Sequence, residues 1–460
     1  MGIHGEKLLD VSIAPEIHVQ MALGINKNVG FKSLQNIEID DLIDIYVEAG
    51  KIFSKDMLIG GISTNVHEFA ELVTLSTGLP IKDVLNTYNA ISQTFKKRNL
   101  KRILKANSPT GNLSIYDDNV GQRGGLLFGW APRGKNVGIS LPSNHPGVAL
   151  LGTLIPLFKL PAIVRASSKE PFTSFRICKA LWEAGLPYES LFHFVTAQET
   201  VNTVVTKSDL GMIFGNEWIL KAYEHNPRIK TFGPGRSKIL IDFDNPSPTA
   251  LDIALDIAYT SIALDGGRGC INASTIIYNS DTDYEGFKMK LAERLAKLTP
   301  KDPLRMDAEL PATKPEGAKG LYKFIQSRMK GDYVDLTEQY RGTKEFLVEE
   351  DNLAYFLPLL LEVHEEHPML TDEYPFPFGT ITQPQDYYAH ELARNSLSVA
   401  LLTDDPFKAQ KLLVEPTIHK VFVNDRTFLM DPAAPHEGFL ADFLYVSKAT
   451  NTRGIEDLPY

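Results

Sequence analysis

From Val137 onward the chain repeats one pattern: a short apolar run, a turn, then an amphipathic stretch. Val137–Leu141, Ala162–Arg165, Leu191–Val195, Leu210–Phe214 and Ser237–Asp242 read as strands; Val148–Lys159, Thr173–Ala184 and Trp218–Tyr223 read as helices between them. Strands and helices alternating at this spacing predict right-handed βαβ units and a parallel, doubly wound sheet, with ligands at the carboxyl ends of its strands. A dinucleotide suits such a sheet. The Gly-x-Gly-x-x-Gly phosphate loop is absent, however. Phe214-Gly215-Asn216-Glu217-Trp218 instead sets a glycine at a strand end before a helix, either as a phosphate-facing turn or as a plain strand-to-helix connection. Val164-Arg165-Ala166-Ser167-Ser168-Lys169 ends another strand with hydroxyls and cations, fit for a ribose phosphate or for a solvated loop.

A chain of 460 residues is long for one core, so two or three structural domains are expected. Residues 35 to 105 read as helices, with periodic apolar positions in Ile39–Phe53 and Val66–Phe95 and breaks at Gly60-Gly61 and Gly78-Leu79-Pro80. Between 108 and 135, strand-like runs such as Leu113–Tyr116 and Gly124–Trp130 predict a projecting hairpin able to serve assembly. A net charge of −10 argues against nucleic acid and anionic membrane as partners. The two cysteines, Cys178 and Cys270, suggest neither a disulfide framework nor a zinc site, and no metal is expected. The sequence shows no secretory leader, and its apolar stretch Val148–Ala162 is too short to span a bilayer. A soluble, cytoplasmic protein is expected.

Cys270 closes the run Asp265-Gly266-Gly267-Arg268-Gly269-Cys270, where glycines promise a strained turn that exposes a thiol. The ordered set Pro-Ser-Asn-His-Pro (142–146), Val-Arg-Ala-Ser-Ser (164–168), Gly-Asn-Glu (215–217), Phe-Gly-Pro-Gly-Arg-Ser-Lys (232–238), Gly-Arg-Gly-Cys (267–270) and Glu373-Tyr374-Pro375-Phe376 resembles the aldehyde dehydrogenase superfamily across residues 110 to 450. The resemblance implies an α/β fold of that type. A helical N-terminal part and NAD(P)-binding domain would occupy 1–246, interrupted by the 108–135 hairpin. A catalytic domain would follow over 247–430, and a C-terminal assembly tail over 431–460. It also implies a homodimer or homotetramer.

The resemblance further implies that Cys270 is the nucleophile and that Asn144 donates its amide to the oxyanion. Ser143, Arg165, Ser167, Ser168, Gly215, Asn216, Glu217, Phe232, Gly233, Glu373 and Phe376 would contact the cofactor. Asn144 could equally cap a turn, Glu373 could be surface charge, and His145 could be an acid or part of a shaped backbone.

Two departures bear on function. Aldehyde-oxidising members carry a glutamate that activates water, where this chain has Phe232-Gly233-Pro234-Gly235, with no side chain able to take a proton. A thioester that water attacks poorly must leave by thiol exchange, which suggests reduction of an acyl-CoA to an aldehyde, similar to the acyl-CoA reductases that supply bacterial luciferase. Aldehyde oxidation, acyl-phosphate reduction and an idle nucleotide-binding scaffold are the alternatives. Arg165, Ser168 and Lys169 replace the acidic ribose contact of NAD-preferring relatives, so NADP(H) is expected, with NAD(H) possible.

Overall fold

A computed structural model describes residues 1–280, 282–384, 388–427 and 431–450. The chain divides into two compact units. One comprises Met1–Leu8, Ala70–Val84 and Pro234–Met430; the other comprises Leu9–Phe69, Leu85–Gly233 and Asp431–Tyr460. We call them, after what the sequence leads one to expect of each, the thiol unit and the nucleotide unit.

The nucleotide unit is built on a five-stranded sheet in the order Leu191–Val195, Ala162–Ala166, Val137–Ser140, Leu210–Phe214, Ile229–Phe232. Every pairing is parallel. The strand order reverses beside Val137–Ser140, so the loop beginning at Leu141 and the turn at Gly215 lie where an open α/β sheet offers a crevice. Gly138 and Gly211 are register partners. A Cβ on Gly138 would sit 2.1 Å from the Val204 carbonyl, and one on Gly211 2.4 Å from that of Val205. Glycine in both strands thus lets the helix Thr200–Lys207 settle directly on the sheet.

The thiol unit contains a seven-stranded sheet in the order Tyr333–Asp335, Leu359–Val363, Phe378–Thr382, Ala273–Tyr278, Ser237–Ile241, Ser396–Leu402, Ile418–Val423. Only the edge strand Tyr333–Asp335 runs antiparallel. Ile239, Ile276, Leu360, Ile381 and Ala400 form the core on one face against helices Pro248–Ala263 and Tyr284–Ala296.

Several sequence expectations change. Ser237–Ile241 belongs to the thiol unit's sheet, while an unforeseen strand, Ile229–Phe232, closes the nucleotide sheet. Leu113–Tyr116 is not a strand: Ile115–Asp118 forms a helical turn ended by left-handed Asn119, and the hairpin strands are Val120–Arg123 and Leu126–Pro132. Tyr445–Ala449 pairs with Leu126–Pro132 to make that hairpin a three-stranded sheet. Val148–Lys159 is broken into a helix Ala149–Thr153 and a tighter turn Ile155–Phe158, because Pro156 lacks a donor and Lys159 is left-handed. The expected break at Gly78 is present between helices Val66–Thr77 and Ile81–Thr94; a Cβ there would lie 1.8 Å from the Ala312 carbonyl.

One buried cation ties the helical layer of the nucleotide unit to a turn. Arg176 is fully buried and donates from Nε and Nη2 to the Phe53 carbonyl and from Nη2 to that of Lys55, at 2.6–3.1 Å. Its guanidinium also sits 4.8 Å from the Phe69 ring centroid. Arg176→Leu should therefore lower the unfolding free energy by roughly 2–5 kcal/mol, since each buried carbonyl left unpaired costs about 1–3 kcal/mol. Urea unfolding followed by tryptophan fluorescence would measure it, and an unchanged midpoint would contradict this role.

Candidate active site

Cys270 stands at the amino end of a strand. Asp265, Gly266 and Gly267 all take left-handed φ values (51°, 61° and 71°), reversing the chain between the helix Pro248–Ala263 and the strand Ala273–Tyr278. Glycine is required at Gly267, where a Cβ would lie 2.4 Å from the Phe376 backbone. Asn272 fastens the loop: its Nδ2 donates to the carbonyls of Ser261 and Leu264, and its Oδ1 accepts from the Gly269 N–H at 2.7 Å. The Arg268 guanidinium donates to the Thr77 carbonyl at 2.6 Å, and burial lowers its pKa to about 10. Cys270 itself is half-buried.

The loop meets the segment Pro234–Ser237 at very short range. A Cβ on Gly235 would fall 1.7 Å from the Cys270 carbonyl oxygen, and Ser237 Oγ donates to the same oxygen at 3.2 Å. Glu373 Oε2 accepts from the backbone N–H of left-handed Arg236 at 2.9 Å. Cys270, Arg236 and Glu373 are thus gathered at the amino ends of three adjacent strands, Ala273–Tyr278, Ser237–Ile241 and Phe378–Thr382. The Phe376 ring is committed to a stack on Phe356, with centroids 4.8 Å apart.

In the nucleotide unit, the remaining expected residues lie at the carboxyl ends of the sheet. Ser143 and Asn144 are partly exposed in the loop after Val137–Ser140, and His145 beside them is buried. Arg165, paired in register with Ser140, is nearly buried and donates to Thr196 Oγ1, the Thr196 carbonyl and Gln198 Oε1 at 3.3–3.4 Å. Ser167 Oγ accepts from the Lys169 N–H, while Ser168 and Lys169 are exposed. Asn216 caps the short helix Glu217–Tyr223 by accepting from the Ile219 N–H, with Glu217 exposed in its first turn. Phe232 is buried and stacked on Phe214 with centroids 4.4 Å apart, so only its backbone, with that of Gly233, is open to a ligand role.

Two acids escaped the sequence reading because nothing in their local pattern distinguishes them. Glu170 is buried, accepts from the Thr173 N–H at 2.8 Å, and burial pushes its pKa up to about 7. Glu437, also raised to about 7 by burial, is anchored where Lys230 Nζ donates to its carbonyl at 2.8 Å; the same ammonium lies 5.6 Å from the Phe232 ring.

The donor set suits an anionic dinucleotide. Arg165 carries a full charge at a strand's carboxyl end with only the neutral groups of Thr196 and Gln198 as hydrogen-bond partners among the described residues, held at the long end of the bonding range. A buried guanidinium so placed is matched by a phosphate. Ser167, Ser168 and Lys169 would extend that contact.

The sequence profile described as "Aldehyde dehydrogenase family" matches residues 58–443. No curated protein sequence matches. Among solved structures, the chain is similar to the NADP complex of glyceraldehyde-3-phosphate dehydrogenase GapN from Methanocaldococcus jannaschii, at 15% identity and TM-score 0.74, covering 98% of each chain. It is also similar to PnpE from Pseudomonas sp. WBC-3, at 16% identity and TM-score 0.76, covering 98% of this chain and 94% of that one. The aldehyde dehydrogenase KauB from Pseudomonas aeruginosa matches at 18% identity and TM-score 0.73, over 96% and 90% of the two chains.

Glu170 gives this region a pH signature. With a folded pKa raised from 4.5 to about 7, its contribution to stability is full below about pH 4.5 and is lost as pH rises to about 7. Glu170→Gln keeps an acceptor for Thr173 and removes the titration. The melting temperature of the variant relative to the unmodified protein should therefore climb between pH 4.5 and 7.5; parallel profiles would show that Glu170 does not titrate in that window.

Proposed function

The chain belongs to the aldehyde dehydrogenase family of NAD(P)-dependent oxidoreductases, and from that premise we propose that it reduces an acyl-CoA to the aldehyde through a thioester on Cys270. The observation carrying the reading is Phe232. Where aldehyde-oxidising members have a water-activating glutamate, this chain has an aromatic ring packed against Phe214 in the core.

In this reading the Cys270 thiolate adds to the acyl carbon, the carbonyl becomes an oxyanion, and collapse breaks the C–S bond to coenzyme A, which leaves as a thiolate and takes a proton from solvent. Asn144 is the side-chain donor to that oxyanion, alongside the Cys270 N–H. A reduced nicotinamide, when bound, would supply hydride to the thioester carbon, and the same oxyanion donors would hold the resulting thiohemiacetal alkoxide. Collapse of the thiohemiacetal returns the thiolate and releases the aldehyde. Ser143, Arg165, Ser167, Ser168, Gly215, Asn216 and Glu217, with the backbone of Phe232 and Gly233, would hold the dinucleotide, and Glu373 and Phe376 would serve its nicotinamide end. Arg165 and Lys169 favour NADP(H) over NAD(H); NAD(H) is the alternative cofactor. The sheet joining 120–132 to Tyr445–Ala449 supports assembly as a homodimer or homotetramer, and we place the enzyme in the cytoplasm.

Aldehyde oxidation is the second reading, and Glu437 favours it. Its backbone carbonyl accepts from Lys230, whose ammonium lies over the Phe232 ring, and burial raises its carboxyl pKa to about 7, the range suited to activating water.

Cys270→Ser should abolish turnover of an acyl-CoA series with NADPH while leaving nucleotide binding intact. Residual activity near that of the unmodified enzyme would remove Cys270 from the mechanism. Arg165→Ala should erase most of a preference for NADP(H) over NAD(H), a loss of roughly 10- to 100-fold in relative affinity for a charge-assisted contact worth about 1.5–3 kcal/mol. Equal dissociation constants for both cofactors in the unmodified enzyme would refute that assignment.

A further inference from the structure

We propose that His145 is the positioning residue for Asn144, acting through Nδ1 as the lock on the turn that presents the Asn144 amide. The inference rests on Asn144 being the oxyanion donor. Ser143 and Asn144 stay partly exposed, but the chain turns inward at the next residue, where His145 is 8% exposed. His145 is extended (φ −150°, ψ 134°) and caps the turn Pro146–Val148, its Nδ1 accepting from the Gly147 N–H at 3.1 Å. An Nδ1 that accepts must be unprotonated, so the neutral ring carries its proton on Nε2, which faces Thr87 Oγ1 at 3.4 Å.

Both nitrogens are therefore committed to the fold. A ring buried and bonded at both ends is badly placed to exchange protons with a substrate, which removes the acid role left open by the sequence. Its neighbours agree with a mechanical role. A Cβ on Gly147 would lie 3.0 Å from Nδ1 and 3.2 Å from Cε1, so the missing side chain at 147 makes room for the ring at 145. Pro146 fixes φ between the two, and helix Ala149–Thr153 follows directly. Asn144 is thus held on its C-terminal side by a side-chain bond that spans the turn, and a displacement of about 1 Å at such a group can cost up to roughly 100-fold in rate.

Substitutions separate the two nitrogens. Asn places Oδ1 where Nδ1 stands and can still accept from Gly147, Gln reaches only toward the Nε2 position, and Phe fills the space without an acceptor. His145→Asn should keep kcat within about threefold of the unmodified enzyme. His145→Gln and His145→Phe should lower it about tenfold or more, with KM for acyl-CoA and the dissociation constant for NADPH unchanged. In an Asn144→Ala background, His145→Phe should cost nothing further. Gly147→Ala, which crowds the ring without removing it, should reproduce the loss and serves if His145→Phe does not fold. Equal losses in His145→Asn and His145→Gln, or a full further loss in the Asn144→Ala background, would overturn the proposal. Asn144→Ala with unchanged kcat would instead overturn the oxyanion reading beneath it.

Discussion

The loop that carries the thiol exists in its observed form because two stretches of backbone approach one another more closely than any side chain permits. A methyl group on Gly235 would collide with the Cys270 carbonyl at 1.7 Å. Around that contact the other restraints are arranged: Ser237 Oγ donates to the same carbonyl, Leu397 donates its N–H to the Gly235 carbonyl, and Glu373 holds the Arg236 N–H. Asn272 supplies the opposing pull, binding the helix end at Ser261 and Leu264 to the turn at Gly269. A thiol positioned this way is fixed through its backbone, by a close backbone approach and by side chains that bond to backbone groups, which suits the nucleophile proposed for it, whose carbonyl chemistry leaves little room for misplacement.

The parts of this arrangement legible in sequence were those with a local physical cause. The alternation of apolar runs and amphipathic stretches marks the nucleotide sheet, because both periodicities arise within each element. The glycines before Cys270 announce the left-handed turn, because only that residue takes such φ values freely. Long-range effects were not legible. Ser237–Ile241 looks like one more strand of the first series, yet strand sequence does not say which sheet it joins. Asn272 is an ordinary polar residue until its three acceptors are brought within reach, and Glu170 and Glu437 acquire their raised pKa values through burial in the folded chain. His145 was visible but ambiguous, since an imidazole reveals its role only through the partners of its two nitrogens.

The two functional readings differ in one physical respect, namely what receives the acyl group from Cys270. Phe232 argues for a thiol acceptor, because an aromatic ring held in the core cannot take a proton from water. Glu437 argues for water, because burial holds its carboxyl in the range where a general base operates. Both readings use the same thiol, the same oxyanion donor and the same cofactor residues, so substitutions at those positions do not separate them. The lifetime of the acyl-enzyme does.

The decisive measurement is the intact mass of the protein after exposure to acyl-CoA without reduced cofactor. Acyl-CoA reduction through Cys270 requires an acyl adduct that is absent in Cys270→Ala, is discharged by added coenzyme A or NADPH, and decays only slowly in buffer. Free acid appearing as fast as the enzyme is acylated would contradict it, and would make the protein an aldehyde oxidiser whose base is not at Phe232.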